Sequence, residues 1–231
     1  TVRMKRQAAL GQFSTGVAHE VRNPLAALKT TVQAMARLEK EPQRAALLAD
    51  MEREIDRMAR AMEAILTFGR PRPPERLEVS LVEELRPPLP PLAPEAERRK
   101  VTIDTGPGLD VLIHVDPDHL RQILLNLLTN ALHATPAGGR VILSARAENA
   151  EIVVEVADTG AGMTAPALAQ AFEPFFTTKP AGTGLGLSIS RQLAEMNGGG
   201  LRLESAFGQG TKAILTLPHG PIAHVDDPDH R

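Results

Sequence analysis

The chain has 231 residues, of which 42% are apolar and 23% charged, and its formal net charge is −2. This composition is typical of a globular protein with room for two modest domains. The near-neutral charge, without a long basic block, argues against nucleic-acid binding, and the lack of cysteine excludes disulfides and thiolate metal sites. No apolar run reaches the roughly 20 residues that span a bilayer, so we expect a cytoplasmic protein. The chain opens in helix-like sequence without an initiator methionine, so we also expect it to be part of a longer protein.

Residues 1–69 predict a hairpin of two long helices. Apolar residues recur every three or four positions in two stretches, which is typical of helices with one buried stripe. The members of the two stripes are Leu10, Phe13, Val17, Val21, Leu25, Leu28, Val32, Met35 and Leu38, then Leu47, Met51, Ile55, Met58, Met62 and Ile65. The polar run Lys40–Gln43 contains Pro42, which cannot continue a helix, and separates the two. Because two helices alone bury little surface, we expect a second copy of the chain to complete a four-helix bundle.

A proline-rich linker at 70–77 leads into a second domain at 78–218, and residues 219–231 form a tail. In the second domain, five prolines within 81–99 predict short or broken helices. Strands are predicted at 101–104, 111–115, 140–147, 151–156, 201–205 and 212–217. Helices are predicted at 117–134, capped by Asp116, and at 184–197. No βαβ unit repeats, so we expect an α+β sandwich.

His19 is the first residue with chemical interest. It lies about 180° from the apolar stripe of the first helix, which places it on the exposed face with Asn23 one turn along. An exposed imidazole is what a phosphoryl acceptor requires, and the adjacent Glu20 can orient its other ring nitrogen. The alternative is an ordinary surface histidine.

Asn126 and Asn130 lie one turn apart on a helix that is otherwise largely apolar. Amides in such surroundings need partners, and a metal–phosphate group supplies them, since Mg²⁺ takes oxygen ligands and retains phosphates and waters. The alternative is that both amides lie on the solvent side of an amphipathic helix.

Asp158 follows an apolar strand and precedes Gly160 and Gly162. A carboxylate here can accept the exocyclic amine of adenine while the glycines allow the backbone to approach the ring. The same residues also suit an ordinary turn.

A second glycine-rich turn opens the helix predicted at 184–197. Its members are Gly182, Thr183, Gly184, Leu185 and Gly186. Free amides and the positive end of a helix dipole suit phosphate there, although a flexible turn is the simpler alternative. The pattern is neither a Walker A loop nor a Rossmann fingerprint. Between the two turns, the phenylalanine-rich run Phe172–Lys179 places Lys179 where it can meet phosphate charge.

These motifs, taken in order over about residues 8–218, resemble the H, N, G1, F and G2 boxes of two-component sensor histidine kinases. The run Phe13–Leu25 resembles the H box and is most similar to that of the nitrogen-regulation sensor group. By that resemblance His19 is the phospho-acceptor, Glu20 is its acid/base partner, and Asn23 supports phosphatase action on the phosphorylated partner.

The same resemblance assigns the pocket residues. Asn130 becomes the Mg²⁺ ligand, Asn126 lies beside the phosphates and Asp158 binds adenine. His133 stands where relatives often carry lysine, so we expect less positive charge to face the phosphates. The remaining nucleotide-binding residues are Gly160, Gly162, Lys179, Gly182, Thr183, Gly184, Leu185 and Gly186, with Thr211 from a last glycine motif at Gly208–Thr211.

The resemblance implies a helical hairpin that forms a dimeric four-helix bundle, followed by an α/β-sandwich ATP-binding domain of the GHKL (Bergerat) type. It implies ATP- and Mg²⁺-dependent autophosphorylation, then transfer to an aspartate of a response regulator receiver domain, with phosphatase activity as a further expectation. Membrane attachment is expected only through sensor segments absent from this chain.

Two other functions remain open: an ATPase of the wider superfamily of gyrase, heat-shock chaperone and mismatch-repair proteins, and a dimeric scaffold without kinase activity. The tail faintly resembles the start of a receiver domain over Ile222–Asp229, with an unstructured polar tail as the alternative. Four other histidines lack metal-ligand spacing and are predicted to lie on the surface: His114, His119, His219 and His230.

Overall fold

A computed structural model describes residues 23–69, 72–179 and 182–219, and gives only the backbone for residues 57, 60, 61 and 63–69. The chain divides into two compact units. The described residues within Thr1–Arg72 and Thr177–Leu185 form one unit, and those within Pro73–Phe176 and Gly186–Arg231 form the other.

The first unit contains the predicted helical hairpin. Helix α1 covers residues 23–38 and helix α2 runs over Pro42–Gly69. Pro42 is the first residue of α2 and not part of the turn, because the first turn of a helix needs no amide donor and the fixed φ of proline suits it. The two-helix prediction is therefore confirmed for the part of the hairpin that the structure describes.

The hairpin is held by a small apolar seam. Val32 of α1 packs with Leu48 and Ile55 of α2, and all three are less than 9% exposed. Two polar bridges flank the seam: Lys29 Nζ lies 2.7 Å from Asp56 Oδ1, and Gln33 Nε2 donates to Glu52 Oε1 at 2.6 Å. These bridges fix how the two helices face each other.

Much of the apolar stripe remains uncovered by the described residues. Six large apolar side chains of the hairpin are 44–82% exposed, namely Leu28, Met35, Leu38, Leu47, Met51 and Met58. An apolar face of this size on a two-helix unit is typical of a bundle that a further helical pair completes.

The second unit is built from seven strands and five α-helices among its described residues. In chain order they are β1 (Leu77–Ser80), α3 (Leu81–Leu85), α4 (Ala93–Arg99), β2 (Thr102–Thr105), β3 (Leu112–Val115), α5 (Pro117–Ala134), β4 (Arg140–Glu148), β5 (Glu151–Asp158), α6 (Ala165–Gln170), α7 (Gly186–Met196), β6 (Gly200–Ser205) and β7 (Thr211–Pro218), with a short 3₁₀ helix at Pro90–Leu92 before α4.

The main sheet has five strands in the order β2-β4-β5-β7-β6. β2 is parallel to β4 and the other neighbours are antiparallel, while β1 and β3 form a separate antiparallel pair. Helix α5 packs on β4 and β5, α7 packs on β6 and β7, and the two helices contact each other. The predicted α+β sandwich is thus confirmed.

The core lies between these two helices and the sheet. Alternate residues of β5, Ile152, Val154 and Val156, are at most 2% exposed, as expected for a strand with one face under helices. Leu124 of α5 is fully buried whereas its neighbour Leu125 is 40% exposed. The pattern of α5 is therefore that of an amphipathic helix with a wide apolar face.

In the second unit, the sequence pattern and the structure differ in three places. β1 and α6 were not predicted, because β1 has only four residues and α6 lies in a stretch rich in glycine and proline. His119, predicted to lie on the surface, is 5% exposed. The other predicted strands and the two long helices of this unit agree with the observed ones to within two residues at each end. No helix in the described part of the chain is long and apolar enough to span a membrane.

Leu124→Ala is expected to lower the free energy of unfolding by about 2–5 kcal/mol, because it leaves a cavity between α5 and the sheet. Leu125→Ala is the matched control on the same helix and should cost less than about 1 kcal/mol. Urea denaturation of the full chain, followed by circular dichroism, measures both values. Equal losses would show that the buried face of α5 has been assigned wrongly.

Candidate nucleotide-binding site

Helix α5 carries both predicted amides, and the structure brings them together. Asn126 and Asn130 are half-buried, and Asn130 Nδ2 donates to Asn126 Oδ1 at 3.4 Å. Asn126 Nδ2 donates in turn to Ser190 Oγ of α7 at 2.8 Å. Ser190, which is 1% exposed, was not singled out from the sequence. It joins the two helices at the predicted phosphate end and holds the Asn126 amide in one orientation.

Gly186, the first residue of α7, lies against the same amide. A Cβ at Gly186 would stand 2.2 Å from Asn126 Oδ1, so any other residue here would push the Asn126 amide out of its present position. The N-terminus of α7, an 11-residue helix, is therefore placed next to Asn126. Backbone amides at a helix start and an adjacent amide side chain together suit an anionic group.

The predicted phosphate turn directly precedes α7 in the chain. In it, Gly184 has a φ of +68°, and Leu185 N donates to Thr183 Oγ1 at 3.4 Å. Gly182 N donates to the Lys179 carbonyl at 3.1 Å. Residues 182–185 form neither helix nor strand, as the glycines predict.

Asp158 lies at the end of β5, where two backbone amides meet its carboxylate. Oδ1 accepts from Gly160 N at 2.8 Å and from Thr211 N at 3.2 Å. Thr211 reaches this position because it pairs with Asp158 in the register of β5 and β7. The two amides therefore hold the Asp158 carboxylate in a defined orientation at the end of β5.

Three glycines make this corner sterically feasible. A Cβ at Gly160 would stand 2.5 Å from the Ala134 carbonyl oxygen. Gly162, with φ +65°, and Gly210, with φ +78°, would bring a Cβ to 1.9 Å from the Ala206 oxygen and 2.0 Å from the Asp158 oxygen. Gly160 and Gly162 were predicted from the sequence, and Gly210 belongs to the motif at Gly208–Thr211.

Ser205 links the glycine turns and was not predicted. Its Oγ donates to the Gly210 carbonyl at 2.9 Å and accepts from Met163 N at 2.9 Å. It also lies 2.8 Å from Thr211 Oγ1. Since the single hydroxyl proton of Ser205 is used on Gly210, Thr211 donates to Ser205. A lone serine at the end of a strand gives no sequence signal for such a role.

His133 lies near the C-terminus of α5 and its side chain is 35% exposed. Its Nε2 is 3.9 Å from Glu95 Oε1 of α4, a carboxylate that also pairs with Arg98 and Arg99. The structure thus places an acidic neighbour beside the one position where the chain departs from the expected lysine.

The phenylalanine-rich run contacts α7. The guanidinium of Arg191 lies 4.7 Å from the centre of the Phe172 ring, a cation–π geometry. Phe175 is 56% exposed and has a φ of +68°, which is unusual for a bulky residue. Arg191 was not predicted to matter.

Two predicted residues, His19 and Glu20, lie outside the described residues. Asn23 is the first described residue of α1, and it is exposed. Within the described ranges, no group of three or more His, Asp or Glu side chains is arranged to hold a metal ion.

Two family models match the chain. The phospho-acceptor domain of histidine kinases, HisKA, matches residues 9–74. The "Histidine kinase-, DNA gyrase B-, and HSP90-like ATPase" domain matches residues 115–221.

Individual proteins agree with this. The sensor histidine kinase ZraS of Klebsiella oxytoca is 37% identical over 222 residues, which are 94% of this chain and 48% of ZraS. The chain thus spans about half the length of that relative. Full-length ShkA in complex with AMPPNP matches 91% of this chain and 46% of its own, with a TM-score of 0.78 and 26% identity. ThkA, in a complex with the response regulator protein TrrA, matches 95% of this chain and 64% of its own, with a TM-score of 0.66 and 25% identity.

Gly210→Ala is expected to weaken ATP binding at least about tenfold, because the added methyl group displaces the Asp158 backbone. Gly208→Ala is the control, since Gly208 has a similar φ of +80° but open space around its Cβ position. Its cost should be limited to the strain of a left-handed alanine, with ATP affinity within about twofold of the wild type. Titration calorimetry measures both. Equal losses would mean that backbone strain, and not the contact with Asp158, matters here.

Proposed function

Because the chain belongs to the histidine kinases, with their phospho-acceptor and ATPase domains, we propose that it phosphorylates His19 from ATP. The phosphoryl group then passes to an aspartate of a response regulator receiver domain. The observation that carries this proposal is the pair of polar corners in the second unit: the carboxylate of Asp158 held by two amides, and the amides of Asn126 and Asn130 beside the start of α7.

The Asp158 corner suits adenine. Its carboxylate accepts the exocyclic amine, and Gly160 and Gly162 let the ring approach the backbone. Guanine presents a carbonyl at the corresponding position, so a carboxylate there opposes GTP by repulsion between two acceptors. Thr211 holds Asp158 in place through its amide.

The Asn126 and Asn130 corner suits the phosphates. Amide oxygens are suitable Mg²⁺ ligands, and Mg²⁺ keeps waters and substrate phosphates, so Asn130 is sufficient as a single protein ligand. When bound, Mg²⁺ would neutralise charge on the phosphates. Asn126 is already oriented by Ser190 and lies beside the first amides of α7. The other phosphate contacts that we propose are Lys179, Gly182, Thr183, Gly184, Leu185 and Gly186, with His133 at the edge of the site.

The acceptor end lies in the hairpin. We assign His19 as the nucleophile, Glu20 as the group that holds its second ring nitrogen, and Asn23 as the residue that supports dephosphorylation of the receiver domain. The exposure of Asn23 agrees with a role toward a partner protein. We further propose, from the likeness of its H box, that the chain belongs to the nitrogen-regulation sensor group.

A receiver domain and a second copy of the chain are the proposed partners. ThkA, a structural relative, forms a complex with a response regulator protein. The uncovered apolar face of the hairpin supports a homodimer. The proposed domains are 1–69 for dimerisation and phosphotransfer, 70–77 for the linker, 78–218 for ATP binding and 219–231 for the tail, in the cytoplasm.

Incubation with γ-labelled ATP and Mg²⁺ tests the kinase function. We expect a label that is stable in alkali and lost in acid, absent from His19→Gln and reduced at least about a hundredfold in Asn130→Ala. Ser80→Ala, at a cap position without a side-chain bond, is the control. ATP hydrolysis without a label, unchanged in His19→Gln, would overturn the kinase function and favour the superfamily ATPase.

Asn23→Ala should keep autophosphorylation within about twofold and lower the dephosphorylation rate of the receiver aspartate at least about tenfold. The asparagine side chain is exposed, so the fold does not depend on it. Thr30→Ala, on the exposed side of the same helix, is the control. The measurement is the decay of a labelled receiver domain. Equal decay with wild type and Asn23→Ala would remove Asn23 from the phosphatase role.

A further inference from the structure

A buried polar cluster lies at the end of the α5–α7 pair that is distant from Asn126. It consists of Asp116, His119 and Asn197, which are 0%, 5% and 0% exposed. Asp116 caps the start of α5 and Asn197 directly follows the end of α7. Buried polar groups need their hydrogen bonds, because a group without one loses its bonds to water and gains none in return. The geometry of this cluster is therefore strongly restrained.

Asn197 is the centre of the cluster. Its Oδ1 accepts from Asp116 N at 2.9 Å, and its Nδ2 donates to the Leu193 carbonyl at 2.7 Å. These two bonds fix the orientation of the amide, since a flipped amide would face a donor with a donor and an acceptor with an acceptor. Nδ2 also lies 3.1 Å from His119 Nδ1. His119 Nδ1 is therefore an acceptor, and the neutral ring carries its proton on Nε2.

The cluster also holds the chain where it enters the second unit from the linker. Asp116 Oδ1 caps α5, accepting from the amides of Asp118 and His119, while Oδ2 accepts from Glu75 N at 2.8 Å. Next to it, Arg76 Nη2 donates to the Met196 carbonyl at the end of α7 at 2.6 Å. The end of the linker at Glu75 and Arg76, the start of α5 and the end of α7 thus meet at one point.

The two helices are fixed at two points along their length. At the first point Asn197 bonds to Asp116 and His119, and at the second Asn126 bonds to Ser190. The start of α5 meets the end of α7, so the helices are antiparallel. The two points are about 10–15 Å apart at 1.5 Å rise per residue. A shift of α7 at the Asn197 end therefore also displaces Gly186, whose backbone packs directly against the Asn126 amide.

We propose that Asn197 is a positioning residue for the nucleotide site. It sets α7 on α5 so that the start of α7 meets Asn126, and it ties this pair to the linker exit at Glu75 and Arg76. The inference deepens the proposed function and rests on the assignment of the phosphate end of the pocket. Asn197 itself does not touch the nucleotide.

The test compares Asn197→Ser with Glu84→Gln in the full chain. Glu84 of α3 is 8% exposed and its Oε2 lies 2.6 Å from Arg121 Nε of α5, so it is a buried polar residue that contacts α5 and has no bond to the described residues of α7. Both variants should lower the melting temperature measured without nucleotide. Asn197→Ser should in addition raise the Kd for Mg·ATP about tenfold, whereas Glu84→Gln should leave it within about twofold.

A double-mutant cycle tests the link to the linker. Arg76→Met and Asn197→Ser act on the same end of α7, so their effects on the Kd for ATP should be non-additive by at least about threefold. Arg76→Met and Glu84→Gln should be additive. If Asn197→Ser does not fold, Arg76→Met alone carries the test, with an expected rise of about threefold in Kd.

Unchanged ATP affinity in Asn197→Ser and Arg76→Met, despite lower melting temperatures, would show that the cluster serves stability alone and would overturn the inference. These readouts are independent of phosphoryl transfer. A wild type that binds ATP but leaves His19 unlabelled would defeat the proposed kinase function, while the affinities of the variants would still decide the role of Asn197.

Discussion

The contact between α5 and α7 is the constraint on which the nucleotide site depends. Both helices bury apolar faces on one sheet, and such faces alone permit sliding by a turn, since a leucine in one groove resembles a leucine in the next. Asn126 and Asn197 remove that freedom, because each is an amide whose bonds exist in one register only. Apolar packing therefore stabilises the contact between α5 and α7, and the polar groups select one register for it.

The proposed adenine corner around Asp158 depends on a different constraint, which is steric. Asp158, Gly160 and Gly210 bring three backbone segments within van der Waals distance, and a Cβ at either glycine would meet a carbonyl oxygen. The pairing of β5 with β7 brings Thr211 opposite Asp158, and the turn just before Thr211 requires the positive φ of Gly210. Two backbone amides hold the carboxylate, so its orientation depends on the pairing of β5 with β7 and on the turn at Gly160.

Much of this fold could be predicted because the signals are local. β-branched residues mark β5, and Asp116 with Pro117 marks the start of α5. The candidate site residues could be predicted as well, because they lie in short sequence motifs. What could not be predicted depends on pairing across the chain: β1 exists only through β3, and Ser190 becomes important only opposite Asn126. His119 was assigned to the surface because its partner, Asn197, is 78 residues away in the sequence and no local pattern connects the two.

The proposed phosphate site has a consequence for charge. His133 replaces the lysine that the family resemblance predicts, and Glu95, which lies beside it, already pairs with Arg98 and Arg99. An imidazole does not supply the fixed positive charge of a lysine at this position. In the proposed function, the start of α7 and Mg²⁺ on Asn130 therefore carry more of the positive charge that faces the phosphates. Orientation of Asn130 and of α7 therefore matters more here than in a site with a fixed cation on α5.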